Sequence, residues 1–203
     1  MAMYSFHDFK DKAKRYFKFS TNEIKAIIIT ILVLSIIVGL NDNSPYFIPS
    51  KWLLNFSLVL AIITASVLVH ISAQKLTGLY LGFNVEYQIW WLGLTLGLIF
   101  SIITKGKIWL LIPGGILIHH LAAHRLGYFR YGTNILSMSW ISVLGPLANI
   151  LFGAFFKTLH LWFNLFPNSY VIDKLFSINL VYAFCTMLPL PPLDGSKVFF
   201  HSR

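Results

Sequence analysis

Long stretches almost without charge constrain this chain more than any other feature. Residues 52–70 hold no Lys, Arg, Asp or Glu, residues 24–40 hold only Lys25, and residues 139–163 hold only Lys157. About 20 apolar residues are what a helix needs to cross the hydrocarbon of a bilayer. Soluble domains carry roughly a quarter charged residues, whereas this chain of 203 residues has 11% charged and 57% hydrophobic. A globular domain in water is excluded, and the pattern predicts an all-α polytopic membrane protein.

The charges that remain are distributed unevenly. Lys and Arg number 16 against 7 Asp and Glu, for a net charge of +9. Lys10, Lys12, Lys14, Arg15, Lys18 and Lys25 all precede or open the first apolar stretch, where they would meet anionic lipid on the cytoplasmic face. The expected partner of this basic charge is the lipid bilayer, with no nucleic acid involved. Cys185 is the sole cysteine, so neither an internal disulfide nor a thiolate zinc cage can form, and any metal chemistry must use His and carboxylate.

Along the chain, residues 1–22 mix aromatic and basic side chains and predict an amphipathic surface segment, with Ser20 or Thr21 capping the helix that follows. Residues 23–203 form a single transmembrane domain of about five helices, expected at 24–40, 52–81, 89–103, 139–163 and 175–193. Residues 108–118 contain Pro113, Gly114 and Gly115 and predict a re-entrant hairpin or short membrane strands, because Pro removes a donor and Gly-Gly favours a turn. If that segment brings the chain back, eleven Lys and Arg lie on the side of the N terminus and four (Lys51, Lys105, Lys107, Lys174) on the other. If it does not, the split is eight to seven. The positive-inside rule selects the returning path, with the N terminus cytoplasmic.

Two polar intrusions stand out. Asp194 follows an apolar stretch in Leu188-Pro-Leu-Pro-Pro-Leu-Asp-Gly195, and an intramembrane carboxylate costs about 2.5 to 3.5 kcal/mol unless it is paired. It either caps a helix end or meets a cation or metal. His70 interrupts the second apolar stretch, with Gln74 one helical turn later.

The Gly145-Pro-Leu-Ala-Asn149 stretch, followed by Leu193-Asp-Gly195, resembles the site-2 protease family of intramembrane zinc metalloproteases. The resemblance runs over residues 66–203 and implies the site-2 protease fold. It places the first zinc ligand of an HExxH helix at His70 and the carboxylate ligand at Asp194. It also assigns Gly114 and Gly115 to a membrane strand beside the groove for a substrate helix, with Asn149 and Thr186 lining it. Where the family has the catalytic glutamate this chain has Ile71, where it has the second histidine it has Gln74, and its asparagine before the proline is Thr186.

Those departures bear directly on chemistry. Peptide hydrolysis on zinc needs converging ligands and a base for the metal-bound water; an amide is a weak ligand, and an isoleucine is no base. Three readings follow. One is a catalytically impaired homologue that binds a transmembrane client and holds zinc at low occupancy. Another is an active divergent zinc metalloprotease using His70, Asp194 and a histidine from residues 119–124, where His120 and His124 repeat the i, i+4 spacing. A distant third is an ion or metal carrier.

Overall fold

The computed structural model describes residues 14–41, 48–120, 135–163 and 169–200. The fold is mostly helical, in the order α1 (Thr21–Gly39), α2 (Pro49–Leu81), β1 (Phe83–Ile89), α3 (Trp91–Ile103), β2 (Gly114–His120), α4 (Ile135–Phe163), α5 (Ser169–Thr186) and α6 (Asp194–Phe200). Among the described residues three helices, α1, α2 and α4, are long and apolar enough to cross a membrane. Their outward faces are apolar, with Leu32, Leu53, Leu54, Leu151 and Phe155 all exposed, as side chains meeting lipid must be.

Local sequence explains where the elements begin and end. Ser20 caps α1 in a capping box: its hydroxyl accepts from the Glu23 amide at 3.2 Å while the Glu23 carboxylate accepts from the Ser20 amide at 3.3 Å, which satisfies two donors that the first turn leaves open. Pro49 opens α2, where its missing N–H costs nothing. Gly82, with φ 86°, closes α2 in the left-handed conformation that suits glycine and turns the chain directly into β1.

β1 and β2 pair antiparallel, from Phe83 opposite His120 to Ile89 opposite Gly114. Between them α3 leaves this end of the molecule and residues 107–113 return along it. Gly97 of α3 packs on the Leu110 carbonyl and Gly93 on Ile112. The chain therefore leaves the sheet and returns to it at the same end. The stretch at 89–103 is divided between β1 and a 13-residue helix, about 20 Å long against a hydrocarbon core of about 30 Å. α5 ends at Thr186 and does not run on to residue 193, because Pro189, Pro191 and Pro192 cannot supply helical N–H groups. Of the amphipathic segment expected at 1–22, residues 14–16 are helical, and residues 1–13 lie outside the described part.

The main apolar core joins Leu34, Ile37 and Val38 of α1, Ile63, Val67 and Ile71 of α2, Leu111, Ile178 and Tyr182 of α5, and Leu193. A smaller cluster of Phe83, Val85, Ile116 and Ile141 seats one face of the sheet against α4. Buried polar pins cross between elements: Thr30 and Tyr87 share a hydroxyl bond of 2.8 Å, and the Ser101 hydroxyl donates to the Ile37 carbonyl at 2.7 Å. Each such bond pairs two polar groups that hydrocarbon could not satisfy.

Candidate functional site

His70 and Gln74, one turn apart, lie on the same face of α2, and both are buried. The proline turn after α5 carries Asp194 to them as the first residue of α6. One carboxylate oxygen of Asp194, Oδ2, meets His70 Nε2 at 3.0 Å and accepts from Gln74 Nε2 at 2.8 Å. Asp194 is 1% exposed, so its compensation comes from these two neighbours. α4 closes the cluster from the other side. Asn149 Nδ2 lies 3.4 Å from His70 Nδ1; with the amide donating there, the ring proton sits on Nε2 and points at Asp194. Tyr182 of α5 meets the imidazole edge-on, with ring centroids 5.1 Å apart. Gly145 makes this closeness possible: a Cβ there would come within 2.7 Å of both His70 Nε2 and Gln74 Nε2.

The other residues singled out in the sequence fall as follows. Ile71 is fully buried in the main apolar core. Thr186 is fully buried and turns its hydroxyl back onto the Tyr182 and Ala183 carbonyls of its own helix, at 3.1 and 3.0 Å. Gly114 and Gly115 open β2, and Gly115 packs against the Pro192 carbonyl, which a Cβ would approach to 2.0 Å. His119 is exposed and stands opposite Asn84, and His120 ends β2 opposite Phe83. His124 lies outside the described residues.

Both glutamates of the chain are engaged elsewhere. Glu23 pairs with Lys75 at 2.7 Å and accepts from the Tyr87 amide at 3.0 Å. Glu86 is bonded by the Asn84 amide at 3.4 Å. Asp173 pairs with Lys157 near the start of α5. The buried Glu23–Lys75 pair was not singled out in the sequence, although a charge within or beside each apolar stretch was the available signal. Lys197 was missed as well. It sits three residues after Asp194 on α6 and donates to the Ile116 carbonyl of β2. Burial pushes the Lys197 ammonium down from the ordinary lysine range, and the Asp194 charge pulls it back up.

Zinc can be tested against this donor set. A catalytic zinc takes three His, Cys or carboxylate ligands at about 2.0 to 2.3 Å and keeps a fourth position for water. Here one imidazole and one carboxylate converge, and the third corner is an amide whose nitrogen, a donor, faces Asp194. Among the described residues no three His, Cys, Asp or Glu groups come together. Asp194 Oδ1, Gln74 Oε1 and Asn149 Oδ1 are buried without a protein partner, acceptors that a bound water would satisfy. The residues do not fit a three-ligand catalytic zinc. What they can do is hold a proton between His70 and Asp194 and fix α2, α4 and α6 to one another.

The chain is 28% identical over 185 residues to a Methanocaldococcus jannaschii protein named "Putative zinc metalloprotease", an alignment covering 90% of this chain and 85% of the relative. This distant likeness supports a metalloprotease family. No family model matches the chain, and no solved structure matches it.

Proposed function

We propose that the chain is a site-2 protease-like membrane protein that has lost peptide hydrolysis and binds a transmembrane segment of a client. The observation that carries this reading is the closed His70–Gln74–Asp194 cluster, with Ile71 packed in the apolar core in place of a base. Hydrolysis needs a group that takes a proton from the attacking water, and the described carboxylates other than Asp194 are held by Lys75, Asn84 and Lys157. The client segment lies beside β2, whose sheet has two strands and so keeps an outer edge for an extended segment to add to.

In this reading four helices complete crossings: α1, α2, α4 and α5. The 18 residues of α5 span about 27 Å and return the chain from the far end of α4 to Asp194. α3 and β2 form the re-entrant element in place of a fifth crossing. The N terminus and α6 face the cytoplasm, in keeping with the eleven-to-four charge split.

A second reading, an active zinc enzyme that draws a further ligand from His120 or His124, is favoured by the 3.0 Å approach of His70 to Asp194 and by the relative's name. One experiment separates the two. The purified protein is assayed for metal content and for cleavage of a transmembrane substrate with and without a chelator. We expect zinc well below one per chain and no chelator-sensitive cleavage. Stoichiometric zinc with chelator-sensitive cleavage refutes the first reading.

A further inference from the structure

We infer that the turn at residues 188–197 is a removable cap on the outer edge of β2, and that lifting it withdraws Asp194 from His70 and Gln74. The proposal rests on the client-binding reading only for the identity of what lifts the cap.

Register shows which backbone groups face outward. The Trp90 amide donates to the Pro113 carbonyl at 3.3 Å, and antiparallel pairs alternate between bonded and unbonded. Three positions along, Tyr87 opposite Ile116 is therefore an unbonded pair, and its backbone groups point away from the partner strand on both edges. On the β1 edge the Tyr87 amide meets Glu23 Oε1 at 3.0 Å. On the β2 edge the Ile116 carbonyl meets Lys197. Two side chains of opposite charge thus close the two edges where further strands would otherwise pair.

The two closures are built differently. Glu23 is 3% exposed and is also held by Lys75 and the Ser20 amide. Lys197 is half-buried and sits on a seven-residue helix preceded by exposed prolines. The cap is held to β2 by the Lys197 bond and by the contact of the Pro192 carbonyl with Gly115. It is rigid within itself: the Leu193 amide bonds the Leu190 carbonyl at 2.8 Å, and the Ser196 amide bonds the Leu193 carbonyl at 3.2 Å. Asp194 and Lys197 therefore move as one piece, and an extended segment that takes the Ile116 carbonyl from Lys197 and pushes the Pro192 carbonyl off Gly115 shifts the turn backbone, lifting Leu193 from the core and Asp194 from the buried cluster. Occupation of the sheet edge and integrity of the His70–Asp194 contact become mutually exclusive.

The test uses the full chain in lipid nanodiscs, as wild type and as the variants Lys197→Met, Lys197→Arg and Gly115→Ala. Hydrogen exchange at the Ile116 amide, which the unbonded pairing with Tyr87 turns to the outer edge beneath the cap, reports cap opening. Loss of a hydrogen bond from a charged donor is expected to speed that exchange about 10- to 100-fold in Lys197→Met. Gly115→Ala should do the same by displacing Pro192, and Lys197→Arg should stay near wild type. Photo-cross-linking from benzoylphenylalanine placed at the exposed Leu117 position, to a transmembrane peptide of about 20 Leu and Ala residues with a central Gly-Pro, reports edge access. Its yield should rise in Lys197→Met. Unchanged exchange in both Lys197→Met and Gly115→Ala overturns the proposal. So does an increase of the same size throughout α2, which marks Lys197 as a general structural tie, or a cross-link yield that falls in Lys197→Met. Raised exchange confined to the β2 edge, with no cross-link in any variant, upholds the cap and refutes the client reading instead.

Discussion

Replacing Lys75 by Met tests whether one buried ion pair holds the sheet to the helices. Lys75 Nζ lies 2.7 Å from Glu23 Oε2 and 2.8 Å from the Lys18 carbonyl, over the Phe19 ring at 4.1 Å. Side-chain exposure of the pair is 5% and 2%, so solvent screens the interaction little. Removing one partner of a buried pair leaves the other charge uncompensated, at a cost of about 3 to 5 kcal/mol. Glu23→Gln alone should cost a similar amount, because the Lys75 ammonium then keeps only neutral neighbours. The double variant Glu23→Gln with Lys75→Met buries no charge, and its Gln oxygen can still accept from the Tyr87 amide. Neutral replacement of a buried pair is often close to neutral, so the double variant should fall within about 1 kcal/mol of wild type, giving a coupling energy of about 5 kcal/mol or more. The assay is reversible unfolding by SDS titration in mixed micelles, followed by the fluorescence of the six tryptophans. A Lys75→Met variant within about 1 kcal/mol of wild type, or a double variant as unstable as the sum of the singles, would refute the argument from burial.

Gly145→Ala should cost about 1 to 3 kcal/mol by overpacking, since its Cβ meets His70 and Gln74 nitrogens at 2.7 Å, whereas Gly153→Ala, whose nearest contact is 3.3 Å, should be tolerated in the same titration. Ile71→Glu with Gln74→His should raise zinc per chain measured by elemental analysis, because two imidazoles one turn apart would face Asp194; no rise would show that α4 packs too closely on the pair to admit a metal. For sidedness, a cysteine at Ser50 in a Cys185→Ser background should react with an impermeant thiol reagent added to intact cells, and one at Ser202 should not; the reverse pattern would invert the topology.

The helical spans were legible because hydrocarbon imposes one simple demand, an uninterrupted apolar run, and residues 24–40, 52–70 and 139–163 meet it. Hydropathy cannot distinguish a crossing from a re-entrant element of equal apolarity. Residues 89–103 read as a short span, yet Ile89 belongs to β1 and only 13 residues remain helical. The strand itself carried a weak signal. Phe83, Val85, Tyr87 and Ile89 alternate with Asn84, Glu86 and Gln88, a period of two that marks a half-buried strand, but the signal was masked by the long helix just before it. Pro113, Gly114 and Gly115 did identify the return, because a turn deep in the chain needs residues that forgo helical hydrogen bonds.

At the site, the sequence motifs could name His70, Gln74 and Asp194 but not the state of their contacts. Whether two ligand-like residues separated by 124 positions share a metal or share a proton depends on the third corner, and a single amide decides it. Gln74 donates to Asp194 Oδ2 at 2.8 Å, so the carboxylate already has two donors on one oxygen. A buried carboxylate so supplied is held without a cation in the site, which histidine at position 74 would do less readily, because a neutral imidazole is at once a donor and a ready metal ligand. Gln74 and Ile71 therefore act together. Gln74 gives Asp194 Oδ2 its second partner, and Ile71, fully buried in the core, places no second acidic group there whose charge would demand a partner. A chain with histidine at position 74 and isoleucine at 71 would hold a metal-binding pair of imidazoles beside Asp194. With Gln74 in place the cluster is a polar staple joining α2, α4 and α6.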